Sequence, residues 1–238
     1  MSSRATPPAT LFATTRWTVV CDAVRGGDTA AVEALEALFK TYWQPLYRYL
    51  RRLGKLPPDA EDLVQGFFAH LHAHEGLRVV DRSRGRFRAF LLGALKNYLA
   101  KEWQREHRLK RGGFAPHLSI DWQQAETGLG FELTDPHNPE TLYDRDWGTA
   151  LLDKVLGDLG REEVDFERWK PYLSMRSGRL GYAEIAAQFH MSEGAARVAV
   201  HRLRKRFRER LRREIARTLV DDELVDDEMR ALFSALST

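Results

Sequence analysis

Six apolar residues in the last quarter of the chain, Ala196, Val200, Leu203, Phe207, Leu211 and Ile215, recur at steps of four, three, four, four and four. That spacing lines one stripe of an α-helix and does not fit the two-residue period of a strand. Ser192 stands at the N-cap position, where its hydroxyl can accept from a backbone N–H of the first turn. At about 100° per residue, Gly194, Val198, His201, Arg202 and Lys205 fall on the opposite, outer face. Residues 192–217 hold ten Lys or Arg against three Glu, so that face is strongly cationic. The preceding GYAEIAAQFHM reads as a short helix with Ile185, Ala186 and Phe189 inward. Two helices joined by a turn of about three or four residues, the second basic, is the helix-turn-helix plan. There the first turns of the second helix enter the major groove and later arginines flank phosphates. A charge run alone favours a solvated helix in an α-bundle. The cap, the turn and the short helix before it favour DNA.

The rest of the chain is also helical in pattern. Asp28 is a fitting N-cap for TAAVEALEALFKTYWQPLYRYLRRL, which ends at Gly54, and Pro45 is expected to kink or split it. PPDAEDLVQGFFAHLHAH opens with Pro and Asp, as helix starts prefer. Residues 76–86 read as a loop, and a third helix runs from Phe87 to about Arg111, stopped by Gly112-Gly113. Residues 112–140 are rich in Gly, Pro and acids with little periodicity, and read as a linker. A second helical block follows from Leu142 to Leu219, and β-branched residues nowhere group into alternating strands. The expected fold class is all-α: two small helical domains joined by a flexible linker, the second with a helix-turn-helix.

Charge sharpens this. The net charge of +3 conceals a basic helix and a net acidic remainder, and DDELVDDE (221–228) holds six acids. Clustered cations release counterions from nucleic acid more effectively than scattered ones. The single cysteine, Cys21, excludes an intramolecular disulfide and a Cys-based zinc site. No apolar run approaches the about 20 residues needed to span a bilayer, and MSSRATPPAT lacks a secretory layout. A cytoplasmic protein without membrane insertion is expected.

GYAEIAAQFHMSEGAARVAVHRLRKRFRERL resembles the C-terminal DNA-binding domain of sigma factors of the extracytoplasmic-function type, within the sigma-70 family. Tyr182, Glu184, Ile185, Ala186, Ser192, Gly194, His201, Arg202, Arg204, Lys205 and Arg206 match that pattern. DAEDLVQGFFAHL (59–71) resembles the family's helix that docks on the clamp of RNA polymerase, a contact implied for Glu61, Asp62 and Gln65. GRFRAFLLGALKNYLAKEWQREHRLKRGG (85–113) resembles the helix that opens and reads the −10 element. Capturing unpaired bases needs stacking surfaces, polar groups for base edges and cations for the backbone. The resemblance implies Arg86, Phe87, Arg88, Asn97, Lys101, Arg105 and Arg108 for that task, with Asn97 at the pocket for a flipped base. Phe87, Phe90, Leu91, Leu95, Tyr98 and Leu99 fall at helical spacing, so part of this set must be core. Ser192, Glu193, Arg197, Val198, His201, Arg202 and Lys205 are implied for the −35 duplex.

The implied domains are 12–115 (polymerase binding, −10 recognition and melting), 116–141 (an acidic linker), 142–218 (−35 binding) and 219–238 (an acidic extension). The family's linker passes through the polymerase cleft, and Asp121, Glu126, Glu132, Asp135 and Glu140 suit such a channel; a plain solvated tether fits the composition equally. The implied partners are core RNA polymerase, duplex −35 and single-stranded −10 promoter DNA, and an anti-sigma factor or a regulatory kinase. No cofactor and no catalytic activity of its own are implied. A stand-alone helix-turn-helix regulator is the alternative, although it has no need of the segments 59–71 and 85–113.

Two departures stand out. Where the family has an acid after the clamp Gln, this chain has Gly66, and reduced affinity of the isolated protein for core polymerase is expected. After Gly194 the family often shows Thr-Val-Lys-Ser-Arg; here the run is Ala195-Ala196-Arg197-Val198-Ala199, so a different −35 preference is expected. His70 and His74 lie one helical turn apart but lack a third ligand, and no metal site is expected. Leu224, Met229, Leu232, Phe233 and Leu236 can form a short amphipathic helix in the extension. It either packs back on the basic helix and competes with DNA or merely ends it in solvent.

Overall fold

A computed structural model of the chain describes residues 17, 29–73, 86–106, 138–174 and 181–237. Its elements are α1 (Thr29–Arg52), α2 (Pro57–His72), α3 (Phe87–Glu106), α4 (Pro139–Glu162), α5 (Phe166–Trp169), α6 (Pro171–Ser174), α7 (Tyr182–Gln188), α8 (Glu193–Arg217), a 3₁₀ turn (Asp222–Leu224) and α9 (Val225–Ala235). The fold is all-α; among the described residues the extended pairing is one isolated antiparallel bridge, Arg86 to Leu219. None of the described helices is long and apolar enough to cross a membrane. The 112–140 linker, the 76–86 loop and the cap Asp28 lie wholly or mostly outside the described residues.

Two compact units form, one from residues 1–150 with 215–238, the other from 151–214. In the first, α1 runs unbroken through Pro45 rather than splitting there. Leu35, Phe39, Tyr42, Leu46, Tyr47 and Leu50 bury its inner stripe, and that burial offsets the about 3 kcal/mol an interior Pro costs. Gly54 ends α1 at φ +83°, with its N–H donating to the Arg51 carbonyl and that of Lys55 to the Leu50 carbonyl. This is a Schellman stop, and the left-handed backbone explains the Gly. Ala60, Val64, Phe67, Phe68 and Leu71 are the buried stripe of α2, and Phe68 stacks on Phe39 at 4.7 Å.

The first turns of α3 are core. Phe87 is fully buried, 5.0 Å from the Tyr42 ring and 5.3 Å from Trp17, which also stacks on Phe90 at 5.0 Å. The N-terminal half of α4 closes this core with Leu142, Tyr143 and Trp147. Trp147 Nε1 donates to the Tyr42 hydroxyl at 3.0 Å, and Asp146 accepts from Arg48 at 3.2 Å and Arg52 at 2.6 Å. The C-terminal segment belongs to the same unit, with Leu219, Val225, Glu228 and Leu232 buried.

The second unit packs Leu151, Val155, Leu159, Phe166, Ile185, Ala186, Ala196, Val200, Leu203 and Leu211. Beside α7, Trp169 stacks on Phe189 at 3.7 Å, and the Tyr172 hydroxyl donates to Gln188 Oε1 at 2.7 Å.

Candidate nucleic-acid interface

The start of α8 is held from both sides. Ser192 Oγ accepts from the Ala195 N–H at 3.2 Å, so the cap that the sequence suggests is formed. The turn between α7 and α8 spans Phe189–Ser192, with His190 left-handed at φ 53°. Met191 N–H donates to the Ala186 carbonyl at 2.9 Å. The Arg168 guanidinium lies 4.6 Å over the Phe189 ring and donates to the Gln188 carbonyl at 2.9 Å. An aromatic cluster thus fixes the angle at which α8 leaves the turn. Ala196, Val200, Leu203, Leu211 and Ile215 are buried and Phe207 half-buried, as the periodicity predicts.

The outer face of α8 is open. Ser192, Glu193, Gly194, Arg197, Val198, His201, Arg202 and Lys205 are all exposed. Arg197 pairs with Glu193 at 3.2 Å and lies 4.9 Å over the Tyr182 ring. Lys205 pairs loosely with Glu209 at 3.8 Å. Exposed i,i+4 pairs contribute only about 0.3–0.5 kcal/mol, so a phosphate can displace either carboxylate. Val198 stands half exposed between these cations, an apolar contact where a side chain would meet solvent. A Cβ at Gly194 would meet nothing within 4 Å, so packing within the chain does not explain this glycine.

On α3 the expected residues divide. Asn97 and Lys101 are exposed and one turn apart on one face, and Trp103 is exposed as well. Two expectations are corrected. Phe87 is 0% exposed, wedged among Trp17, Tyr42 and Phe90, and has no face left for a base. Arg88 is 7% exposed, bonded to Glu228 and Asp144 and stacked 4.6 Å over Trp147, so it neutralises carboxylates of its own chain rather than a phosphate. Its guanidinium pKa is raised, because the hydrogen bonds and charges of those two acids outweigh the opposing effect of burial. Arg86 is half-buried and pairs with Glu228 at 3.0 Å. The Arg105 side chain and Arg108 lie outside what is described.

On α2, Asp62 is exposed, and Glu61 and Gln65 are half-buried. Gly66 has a packing role that the sequence does not reveal: a Cβ there would lie 2.5 Å from the Tyr98 hydroxyl. His70 packs against the Tyr98 ring at 5.6 Å, and His74 lies outside the described residues. Among the described residues no three His, Cys, Asp or Glu group as a metal site.

Glu228 is the residue that reading by charge misses. Its acidic neighbours hide it, yet Val225, Glu228 and Leu232 follow at steps of three and four. A lone charge on an apolar stripe signals a buried partner.

Residues 38–109, which take in most of α1 and all of α2 and α3, match the family model for sigma-70 region 2. Across 189 residues the chain is 29% identical to the ECF RNA polymerase sigma factor SigF of Caulobacter vibrioides (strain NA1000 / CB15N), covering 79% of this chain and 89% of that one. No solved structure matches. With a region 2 match over α1–α3 and a relative alike along most of its length, the chain is similar to RNA polymerase sigma factors of the sigma-70 family, extracytoplasmic-function group.

Proposed function

We propose that this protein is an alternative sigma factor that binds core RNA polymerase and directs it to a distinct set of promoters. The observation that carries the reading is the region 2 match over α1–α3. A stand-alone regulator of duplex DNA has no use for such a domain. In this reading Glu61, Asp62 and Gln65 on α2 meet the polymerase clamp. Asn97 and Lys101, with Arg86, Arg105 and Arg108, take the −10 strand: the Asn amide reads an unstacked base edge and the cations hold the backbone. The open face of α8, with Ser192, Glu193, Arg197, Val198, His201, Arg202 and Lys205, docks on the −35 duplex.

Each part has a physical role. The helix N-terminus and the arginines supply sequence-independent attraction to phosphate. Arg197 and His201 can address base edges, and Val198 suits a thymine methyl. The protein needs no catalytic group, since nucleotidyl transfer belongs to the polymerase. Its place is the cytoplasm, with the transcription apparatus, and an anti-sigma factor or a kinase fits as its control. The domains follow the same reading: 12–115 for core and −10, 116–141 as linker, 142–218 for −35, and 219–238 as extension.

The test is run-off transcription from genomic fragments with core RNA polymerase, with and without the purified protein. Specific transcripts that appear only with the protein are expected. Duplex binding that is indifferent to polymerase, with no new transcript, would replace this reading by that of a stand-alone regulator.

A further inference from the structure

The acidic C-terminal extension is built into the first unit, on the opening turn of α3. Its helix α9 buries Val225 and Leu232, and a Cβ on Gly148 of α4 would fall 2.8 Å from Leu232 Cδ1. Glu228 lies on the same face and is 1% exposed. Arg88 Nε donates to Glu228 Oε1 at 2.7 Å and its Nη2 to Oε2 at 3.3 Å, and Arg86 Nε pairs with Oε2 at 3.0 Å. The backbone adds an antiparallel bridge between Arg86 and Leu219, in which the Phe87 N–H donates to the Thr218 carbonyl at 2.8 Å. A carboxylate leaves water only where it is paired and bonded, so this contact is not that of a solvated tail.

The ion pairs and the backbone link fall on residues 86–88, while Asn97 and Lys101, proposed to meet the −10 strand, lie further along the same helix. Among the described side chains of α3, Leu95 is the last buried one, and beyond it Lys96, Asn97, Ala100, Lys101, Trp103 and Gln104 are exposed. Asn97 is nine residues from Arg88, about 14 Å along the axis at 1.5 Å per residue. A tilt of about 10° at the first turn therefore moves Asn97 by about 2 Å, enough to spoil a positioned contact. We infer that the C-terminal extension is the strut that aims the promoter-opening helix, with Glu228 as a positioning residue acting through Arg86 and Arg88. This rests on the role proposed above for α3.

The test uses the full chain, core RNA polymerase and a promoter fragment recovered by run-off transcription. The fragment is supplied fully duplex and also with its −10 segment mismatched open. Glu228→Gln keeps the size and removes the charge. Expected are a tenfold or greater loss of strand opening on the duplex, a loss of threefold or less on the pre-opened fragment, and core binding within twofold of wild type. Hydrogen exchange of the free protein should quicken over 87–95 and stay unchanged over 57–72, which reads the effect even if transcription is weak. Unchanged or enhanced opening on the duplex would overturn the proposal, the second outcome marking the extension as a mask. An equal loss of core binding and of both template activities, with exchange faster throughout, would reduce Glu228 to general stability and overturn it too. A wild-type protein that opens no promoter refutes the proposed function itself, and that arm is read independently of the variant.

Discussion

Gly66→Ala should change the sign of its effect when Tyr98 loses its hydroxyl. A Cβ at position 66 would lie 2.5 Å from the Tyr98 oxygen but 3.5 Å from Cζ. The first distance is a clash and the second an ordinary contact. Tyr98 cannot swing away freely, since its ring packs 5.9 Å from Phe67 and 5.6 Å from His70. Overpacking costs about 1–3 kcal/mol, while Ala gains about 1 kcal/mol over Gly inside a helix. In the wild-type background the net effect is a loss of up to about 2 kcal/mol. In Tyr98→Phe the clash is gone, and the same substitution stabilises by up to about 1 kcal/mol. Urea midpoints at constant slope for the four proteins of the cycle give the coupling directly. Effects equal within about 0.5 kcal/mol in the two backgrounds would show that the glycine is not there for Tyr98. The outcome also bears on polymerase binding. An acid at 66 must displace Tyr98, so a charge added to the proposed clamp contact is best introduced as Gly66→Glu in the Tyr98→Phe background, where a pulldown reads charge without the clash.

Arg88→Ala leaves Glu228 buried with fewer partners and should destabilise by about 3–5 kcal/mol, as broken buried pairs do; a thermal midpoint within a degree of wild type would contradict that burial. Ser192→Ala removes the cap of α8 and should cost about 1 kcal/mol, with weaker duplex binding in a gel-shift titration, whereas unchanged affinity would detach the cap from DNA docking. Arg202→Ala should weaken binding alike on all duplexes and lower the salt slope by about 1, while Val198→Ala should change which −35 sequences are preferred; selection from a randomised duplex pool separates the two effects. Burial pushes the Tyr42 and Tyr143 phenols above their ordinary value. The unfolded chain releases these protons near about pH 10 and the folded chain retains them, so the unfolded state binds fewer protons in that range. Stability from these groups is therefore full below about pH 10 and falls as pH rises through it. Tyrosinate absorbance should show those two of the seven tyrosines ionising only as the protein unfolds.

Helical content, the Ser192 cap, the Gly54 stop and the inward stripe of α8 were legible in the sequence because each rests on local spacing or on one residue's backbone preference. The outward face of α8 followed from the same geometry, since what one side buries the other side shows. Three things depended on residues far apart in the chain. Pro45 is tolerated because the stripe on both sides of it is buried. Phe87 and Arg88 look like DNA ligands by composition, yet Trp17, Tyr42 and Trp147 enclose one or the other, and Glu228, 140 residues on, pairs with the second. The units divide within α4 and within α8, not at the shift in composition, so the C-terminal residues 215–238 count with the N-terminal unit. Periodicity tells which side of a helix seeks cover but not which segment supplies it. For the acidic tail that choice was made by tertiary packing, where Gly148 admits Leu232 and one buried carboxylate meets two arginines.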